Sequence, residues 1–374
     1  MKSGNLSYLM AADKRPMSFP RPPLSVLELT GTASDVAFAL GRARRRAVPG
    51  RIAHWDRHLA ERFAGRRALQ KDLERALLRE ARRQAPRYLE EIHAMAEGAG
   101  VGFAALFRLN LTELSVFSEK CTDLILPMRV PGGQRILLAH NEDWDPRRND
   151  CFVLKARLPE VEYAVLAYDG YLPGLSAGMN SFGLAHSVNY LRPKDFRVGL
   201  PRIFLARHLV TARDIPDCLS FLSGSRRAFG QAIHLAQGSR YLGIELTARH
   251  TALRRPRLPA CHSNHYLAAT LQRFVPRGLP SSVARLRRAR QLLREAVPRF
   301  AAGPPAPEQA RGLARRILSD RQSLPWALWR EADRPEESSA TLAAVLVGTD
   351  RWGLEVHRRR PVENKAIRIE IDRP

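Results

Sequence analysis

Hydrophobic positions in the first third of the chain recur mainly at helical spacing. Apolar residues at every third or fourth position predict an amphipathic helix over 69–98, with a break at Pro86. Before it, alternation over Leu24–Leu29 predicts a strand, and the turn that follows predicts a helix through Val36–Ala47. A further short helix is expected over Phe103–Phe107. This part of the chain is therefore predicted to be mainly helical.

After residue 121 the pattern changes to short apolar runs and alternating positions, which are typical of β-strands. Helical spacing returns over Ile203–Ala212, Ile215–Leu222, Val283–Ala296 and Glu308–Leu318. A glycine-containing stretch over 174–183 is predicted to be a turn-rich connector. The predicted strands are Ile136–Ala139, Phe152–Ala156, Tyr163–Tyr168, Gly183–Val188, Ala232–Leu235, Tyr241–Leu246, Leu342–Val347, Gly353–His357 and Ala366–Ile371.

The order of these elements predicts an α+β fold with layered sheets. Strands are followed by helices and then by strands, without the regular alternation that a parallel sheet requires. We divide the chain into a loose tail at 1–23, a mainly helical segment at 24–120 and a strand-rich segment at 121–374.

The composition of the 374 residues, 45% of them hydrophobic, is that of a globular chain with a substantial core. No apolar run approaches the ~18–20 residues that a spanning helix needs, so no membrane partner is expected. The first residues lack the apolar stretch of a secretory signal, and we expect a cytoplasmic protein.

The net charge of +24 comes mostly from arginine, which is distributed along the whole chain. Nucleic-acid-binding proteins usually concentrate their basic residues and interleave aromatic ones, so a nucleic acid is an unlikely partner. A basic surface would still attract acidic substrates or the phosphates of a coenzyme.

Four scattered cysteines give neither a disulfide framework nor the ligand spacing of a zinc site. We expect no metal and no organic cofactor. Cys151, Cys218 and Cys261 are expected to be core residues, which leaves Cys121 as the candidate for chemistry.

Cys121 begins one predicted strand, and the polar segment Asn141–Trp144 ends the next. A Pro-Gly-Gly turn at 131–133 joins the two strands, so hairpin pairing would bring the thiol close to the polar segment. This arrangement suits nucleophilic chemistry.

The thiol needs a base, because a free cysteine has a pKa of ~8.5. His140, near in sequence, and His265, far away, are conceivable partners, although His140 at a strand end is the less favoured. The other solution is cleavage of Lys120–Cys121, since the freed α-amine, with a pKa of ~7.7–8.0, can then act as the base.

Several motifs in order resemble one family. They are Gly31–Asp35, Gly41-Arg42, Glu90–Gly100, Leu109–Leu114, Cys121-Thr122, Asn141–Trp144, Gly178–Leu184 and Ser263–Tyr266. From about Leu24 to Ile371 the chain resembles the acyl-coenzyme A:6-aminopenicillanic acid acyltransferase family of self-processing N-terminal nucleophile hydrolases.

The resemblance implies a four-layer αββα fold and a precursor that cuts itself before Cys121. The small chain ending at Lys120 and the large chain would remain associated. Carried over by motif, Cys121 is nucleophile and, through its amine, base. Asp143 would orient that amine or help processing, and Asn264 would donate its amide to the oxyanion.

Four further residues are predicted to bind substrate or to support the site. Trp144 is either a core residue or part of the pocket wall, and Asn141 belongs to the same motif as Asp143. His265 is either structural or catalytic, and Asn180, among glycines, could instead hold a left-handed turn.

These features predict an amidase that cleaves the linear amide of an N-acyl amino acid through a thioester acyl-enzyme. The first alternative is an N-acyltransferase that uses acyl-coenzyme A as donor. The second is an unprocessed homologue that acts as a basic binding protein, since Lys120 stands where the family often has glycine.

Overall fold

The computed structural model describes residues 23–114, 121–145, 151–276, 278–296, 298, 303–322, 325–331 and 339–372. The helices are α1 (Ala33–Ala43), α2 (Val48–Arg62), α3 (Arg67–Gln84), α4 (Pro86–Ala99), α5 (Phe103–Leu109), α6 (Arg202–Thr211), α7 (Ile215–Gly224), α8 (Pro280–Ala296) and α9 (Pro307–Leu318). The strands are β1 (Val26–Thr30), β2 (Thr122–Val130), β3 (Gly133–Trp144), β4 (Cys151–Arg157), β5 (Glu162–Tyr168), β6 (Ala177–Asn180), β7 (Leu184–Leu191), β8 (Gly230–Gln237), β9 (Arg240–Leu246), β10 (Thr251–Arg254), β11 (Ala260–His262), β12 (Ala340–Gly348), β13 (Gly353–His357) and β14 (Ile367–Glu370).

The strands form two sheets that pack face to face. The first has eight strands in the order β1-β4-β5-β6-β7-β8-β9-β10, and the second has six in the order β11-β2-β3-β12-β13-β14. Contacts of β3 with β7, β8 and β9, and of β12 with β6 and β7, join the sheets. Helices α6 and α7 contact the first sheet, whereas α8 and α9 contact the second. The predicted α+β class and αββα layers are thus confirmed.

Strands β2 and β3 separate two apolar cores because their side chains alternate between faces. Ile125 and Leu138 belong to the core between the sheets. Leu124 and Leu137 belong to the core beneath α8 and α9. The same alternation decides the direction of the polar residues at the ends of these strands.

Most predicted elements are present, with four differences. Helix α2 and the short strands β10 and β11 were not predicted, and β6 occupies part of the predicted connector at 174–183. Strand β6 is only four residues long, contains Gly178 and is buried throughout, so it lacks the alternation that marks a half-buried strand. Residues 1–22 of the predicted tail lie outside the described residues. Among the residues described, no helix combines the length and apolar character needed to cross a membrane.

Two glycines let α1 and α4 approach until their backbones touch. A Cβ added to Gly41 would lie 2.1 Å from the carbonyl oxygen of Met95, and one added to Gly98 would lie 2.0 Å from that of Phe38. Both distances are far below van der Waals contact, so no larger residue fits without separating the helices.

Gly41→Ala is therefore expected to destabilise the protein by about 1–3 kcal/mol, because overpacking moves backbone and not only side chains. Urea denaturation measures the change. Gly50→Ala is the matched control, since nothing lies within 4 Å of a Cβ at that helical position. Equal stability of the two variants would contradict the close helix contact.

Candidate functional site

The predicted hairpin is present, and it brings Cys121 to the polar end of β3. Thr122 pairs with Asn141 in the antiparallel register of β2 and β3. The Sγ atom of Cys121 lies 4.0 Å from the main-chain oxygen of Asp143. The two segments that the sequence separates therefore meet at one end of the second sheet.

The hairpin end presents two polar clusters, one on each face of the sheet. Alternation directs Cys121, Asp123, His140 and Glu142 towards the first sheet. We call these four residues the inner cluster. The intervening side chains face α8 and α9.

In the inner cluster, His140 lies between two carboxylates. Its Nδ1 is 2.9 Å from Asp123 Oδ1 and its Nε2 is 2.9 Å from Glu142 Oε2. Burial opposes the charge on His140, but Asp123 outweighs burial and raises the pKa of His140 well above its usual value. Burial likewise opposes ionisation of Asp123, yet His140 and His234 hold its pKa well below the usual range. Ser187 donates a 2.6 Å hydrogen bond to the same carboxylate.

The thiol of Cys121 is part of this polar interior. Its sulfur, a ring nitrogen of His140 and a carboxylate oxygen of Glu142 all lie within 4.8 Å of one another. Cys121 is fully buried. Trp144 stands edge-on to Tyr168, with ring centroids 5.3 Å apart, and burial and the neighbouring Glu142 raise the pKa of Tyr168. An aromatic wall thus flanks the thiol side of the hairpin.

On the opposite face, Arg285 of α8 joins the hairpin to the segment that follows β11. Its Nη1 donates to the main-chain oxygen of Cys121 and, at 2.6 Å, to Thr122 Oγ1. Its Nη2 donates at 2.7 Å to Asn264 Oδ1. The amide nitrogen of Asn264 donates to the carbonyl of Tyr190 at 3.1 Å. One buried guanidinium therefore links Asn264 to the main chain of Cys121.

Asp143 belongs to this outer face. Burial raises its pKa to about 6, and the positive charges of Arg285 and Arg330 oppose that rise. The carboxylate therefore lies on the side of the Cys121 main chain, whereas the thiol points to the other face. The other residue of the predicted scissile bond, Lys120, lies outside the described residues.

The remaining predicted site residues do not converge on the thiol. Asn141 donates to two main-chain carbonyls at and beyond the end of α9. Asn180 donates to carbonyls at the end of α6 and accepts from the turn after β6. His265 lies 2.7 Å from Ser282 Oγ, and burial lowers its pKa to about 4. These contacts indicate a structural role, because each side chain connects two separate segments of the chain.

Sequence reasoning missed Arg285 and the inner carboxylates. Arg285 was read only as one arginine of an amphipathic helix, yet it shares a helical face with the buried Ala289 and Leu293. A cation on the apolar face of a helix was the available signal, since a buried charge requires partners. Asp123 and Glu142 carried no comparable signal, because their direction depends on strand register.

Glu245 anchors the segment that carries Asn264. It accepts hydrogen bonds from the main-chain N–H groups of Leu267 and Ala268 and lies 3.1 Å from His262 Nε2. Burial alone would raise the pKa of Glu245, but these partners outweigh it and lower the pKa to about 2.

Ionised Glu245 is expected to contribute on the order of 2–3 kcal/mol to stability above pH ~4.5, which is lost as the pH falls towards 2. Glu245→Gln should lose this contribution at pH 7 and show a weaker acid dependence. Urea denaturation at pH 7 and pH 3 measures both effects. The exposed Glu90→Gln is the control, and equal stability of the two variants at pH 7 would contradict the prediction.

The chain is similar to several known proteins. The beta-alanyl-dopamine/carcinine hydrolase of Drosophila melanogaster is 28% identical over 161 residues, which cover 37% of this chain and 41% of that protein. The chain thus matches about two fifths of this relative's length. Penicillin V acylase from Agrobacterium tumefaciens has a TM-score of 0.45 and 12% identity, covering 67% of this chain and 86% of that one. A variant of the conjugated bile acid hydrolase from Clostridium perfringens has a TM-score of 0.42 and 12% identity, covering 67% of this chain and 92% of that one.

The match to a protein family begins within β2, eight residues after Cys121, and covers more than half of the chain. Residues 129–352 match the family described as Acyl-coenzyme A:6-aminopenicillanic acid acyl-transferase, so the chain belongs to that family.

Proposed function

We propose that the protein is a thiol-dependent amidohydrolase that cuts its own chain at Lys120–Cys121 and then cleaves linear amides of N-acyl amino acids or similar small molecules. The observation that carries this proposal is the bridge from Arg285 to both the Cys121 carbonyl and the Asn264 amide. It joins the candidate nucleophile to the candidate oxyanion donor in a member of an acyltransferase family.

Self-cleavage begins when the Cys121 thiol attacks the carbonyl carbon of Lys120. A sulfur–carbon bond forms, the peptide C–N bond breaks, and the proton of the thiol passes to the nitrogen, which leaves as the α-amine of Cys121. Water then hydrolyses the thioester, which regenerates the thiol and leaves a carboxylate on Lys120. The products are two associated chains.

In turnover the freed α-amine takes the thiol proton as sulfur attacks the substrate carbonyl. Its pKa of ~7.7–8.0 leaves a useful neutral fraction near pH 7. The Asn264 amide donates to the developing oxyanion, and Asp143, on the main-chain side of Cys121, orients the amine. The amine product leaves with the proton, and water releases the acyl group from sulfur.

The burial of the thiol supports a precursor. Cys121 is fully buried in the single chain, so a substrate reaches the sulfur only after this end of the hairpin opens. Cleavage directly before Cys121 frees the chain at that point. Processing and access to the nucleophile would then be one event.

An acyl-coenzyme A-dependent N-acyltransferase is the second candidate, and a basic cavity favours it. The cavity, of about 510 Å³, lies beside the inner cluster and has His234 in its wall. Its lining includes Arg254, Arg257, Arg290 and Arg294, which would suit the phosphates of a coenzyme.

The test measures the intact mass of the purified protein and its release of amine from acyl-amino acids without coenzyme. Two fragments that separate at Lys120–Cys121, together with free amine, are the expected result. Acyl transfer that requires acyl-coenzyme A would favour the second candidate. One full-length species without turnover, together with salt-dependent nucleic-acid binding, would instead identify a basic binding protein.

A further inference from the structure

We propose that Cys121, His140 and Glu142 form a binding site for a divalent transition-metal ion of the zinc class. One ligand atom from each residue lies within 4.8 Å of the other two, and all three side chains are buried. Thiolate, imidazole and carboxylate are the donors that zinc takes in proteins. Zinc ligands at tetrahedral angles lie roughly 3.3–3.6 Å apart, so side-chain shifts of about 1 Å would bring these atoms to coordination geometry.

The surroundings already orient the histidine for metal binding. Asp123, 2.9 Å from Nδ1, can only accept there when ionised, so Nδ1 carries the hydrogen and Nε2 is directed at Glu142. Ser187 in turn donates to Asp123 at 2.6 Å. A carboxylate behind the histidine is the usual outer partner of a zinc ligand, because it sets the tautomer and raises the basicity of the ring.

The charges also balance. A thiolate on Cys121 and a carboxylate on Glu142 would neutralise a divalent ion, while His140 binds as the neutral imidazole. Each ion bound releases the thiol proton and the proton shared between His140 and Glu142, and no oxidant or reductant is needed. With Asp123 ionised, the inner cluster carries one net negative charge both before and after binding, so the ion adds no uncompensated buried charge.

The positions of the three ligands along the chain explain why the sequence does not reveal this site. The cysteine directly precedes β2, whereas the other two ligands stand two residues apart near the end of β3, and the pairing of the two strands brings them together. Cysteine–histidine repeats of the zinc-finger kind are therefore absent from the sequence, although three zinc donors meet in the fold.

A bound ion would occupy the sulfur that amide cleavage requires. The consequence for activity, a reversible block that a chelator removes, rests on the proposed function. Binding itself does not, because it requires neither a substrate nor cleavage of the chain.

The experiment uses the full protein, treated with a chelator and then titrated with Zn²⁺ or Co²⁺. We expect one ion per chain and, with Co²⁺, a thiolate-to-metal charge-transfer band. Cys121→Ala and Glu142→Gln should each weaken binding at least ~100-fold and remove or alter that band. Asp123→Asn should weaken binding ~10–100-fold with the stoichiometry kept, since it acts through His140.

Cys218→Ala is the matched control, because that thiol is also buried but lies in α7. Circular dichroism establishes that each variant is folded. Equal binding by the wild type, Cys121→Ala and Cys218→Ala, or no binding by the wild type, would overturn the site. Loss of binding in Cys121→Ala but not in Cys218→Ala, together with no amide cleavage by the metal-free wild type, would support the site and reject the proposed function.

Discussion

Replacing Cys121 with alanine is expected to abolish amide cleavage and to leave the chain in one piece. Removing a nucleophile typically lowers kcat by at least ~10⁴-fold, because the surrounding groups then have no attacking atom to assist. Both effects should appear together, since the proposed mechanism uses the same sulfur for processing and for turnover. Amine release measures turnover, and intact mass detects the cut at Lys120–Cys121.

Two variants make this result specific. Cys218→Ala removes a buried thiol in α7 and should leave cleavage and turnover unchanged. Cys121→Ser keeps an attacking oxygen but has a weaker nucleophile, so slower processing is expected. Fragments at 120/121 in the alanine variant would show that another protease makes the cut. Turnover by that variant would exclude the thiol mechanism.

Asn264→Ala is expected to lower kcat by about 10²–10³-fold, the usual effect of losing one oxyanion-hole donor. The amide contributes mainly in the transition state, so KM should change little by comparison. The neighbouring His265→Gln is the control in the same segment. The contact of its ring with Ser282 indicates a structural residue, and its effect should be at most about threefold in kcat.

The bond between Arg285 and Asn264 allows a sharper test. Nη2 of Arg285 donates to Asn264 Oδ1, so Arg285→Met should already misplace the Asn264 amide. The fall in kcat of the double variant, expressed as a free energy, should then be much smaller than the sum for the two single variants. Additive effects would mean that the arginine does not act through Asn264. A KM increase with unchanged kcat in Asn264→Ala would instead assign that residue to substrate binding.

Local sequence signals, namely apolar periodicity and turn residues, were sufficient to predict the hairpin and most of the helices and strands. A Pro-Gly-Gly turn between two apolar runs specifies antiparallel neighbours, and pairing then brings Cys121 to the segment containing Asp143. The motifs at Gly41 and Asn264 pointed to the family, which the match over 129–352 establishes. Short elements such as β6 were missed because four residues carry too little periodic information.

The amino-acid sequence by itself determined most of the elements, the α+β class and the position of the candidate nucleophile, because these depend on local periodicity and turn chemistry. Tertiary structure alone decided which polar groups surround Cys121. The thiol and the Asp143 carboxylate diverge because adjacent strand positions face opposite sides of the sheet. Arg285 reaches Cys121 only because α8 packs against the start of β2, and the two residues are 164 positions apart in the chain.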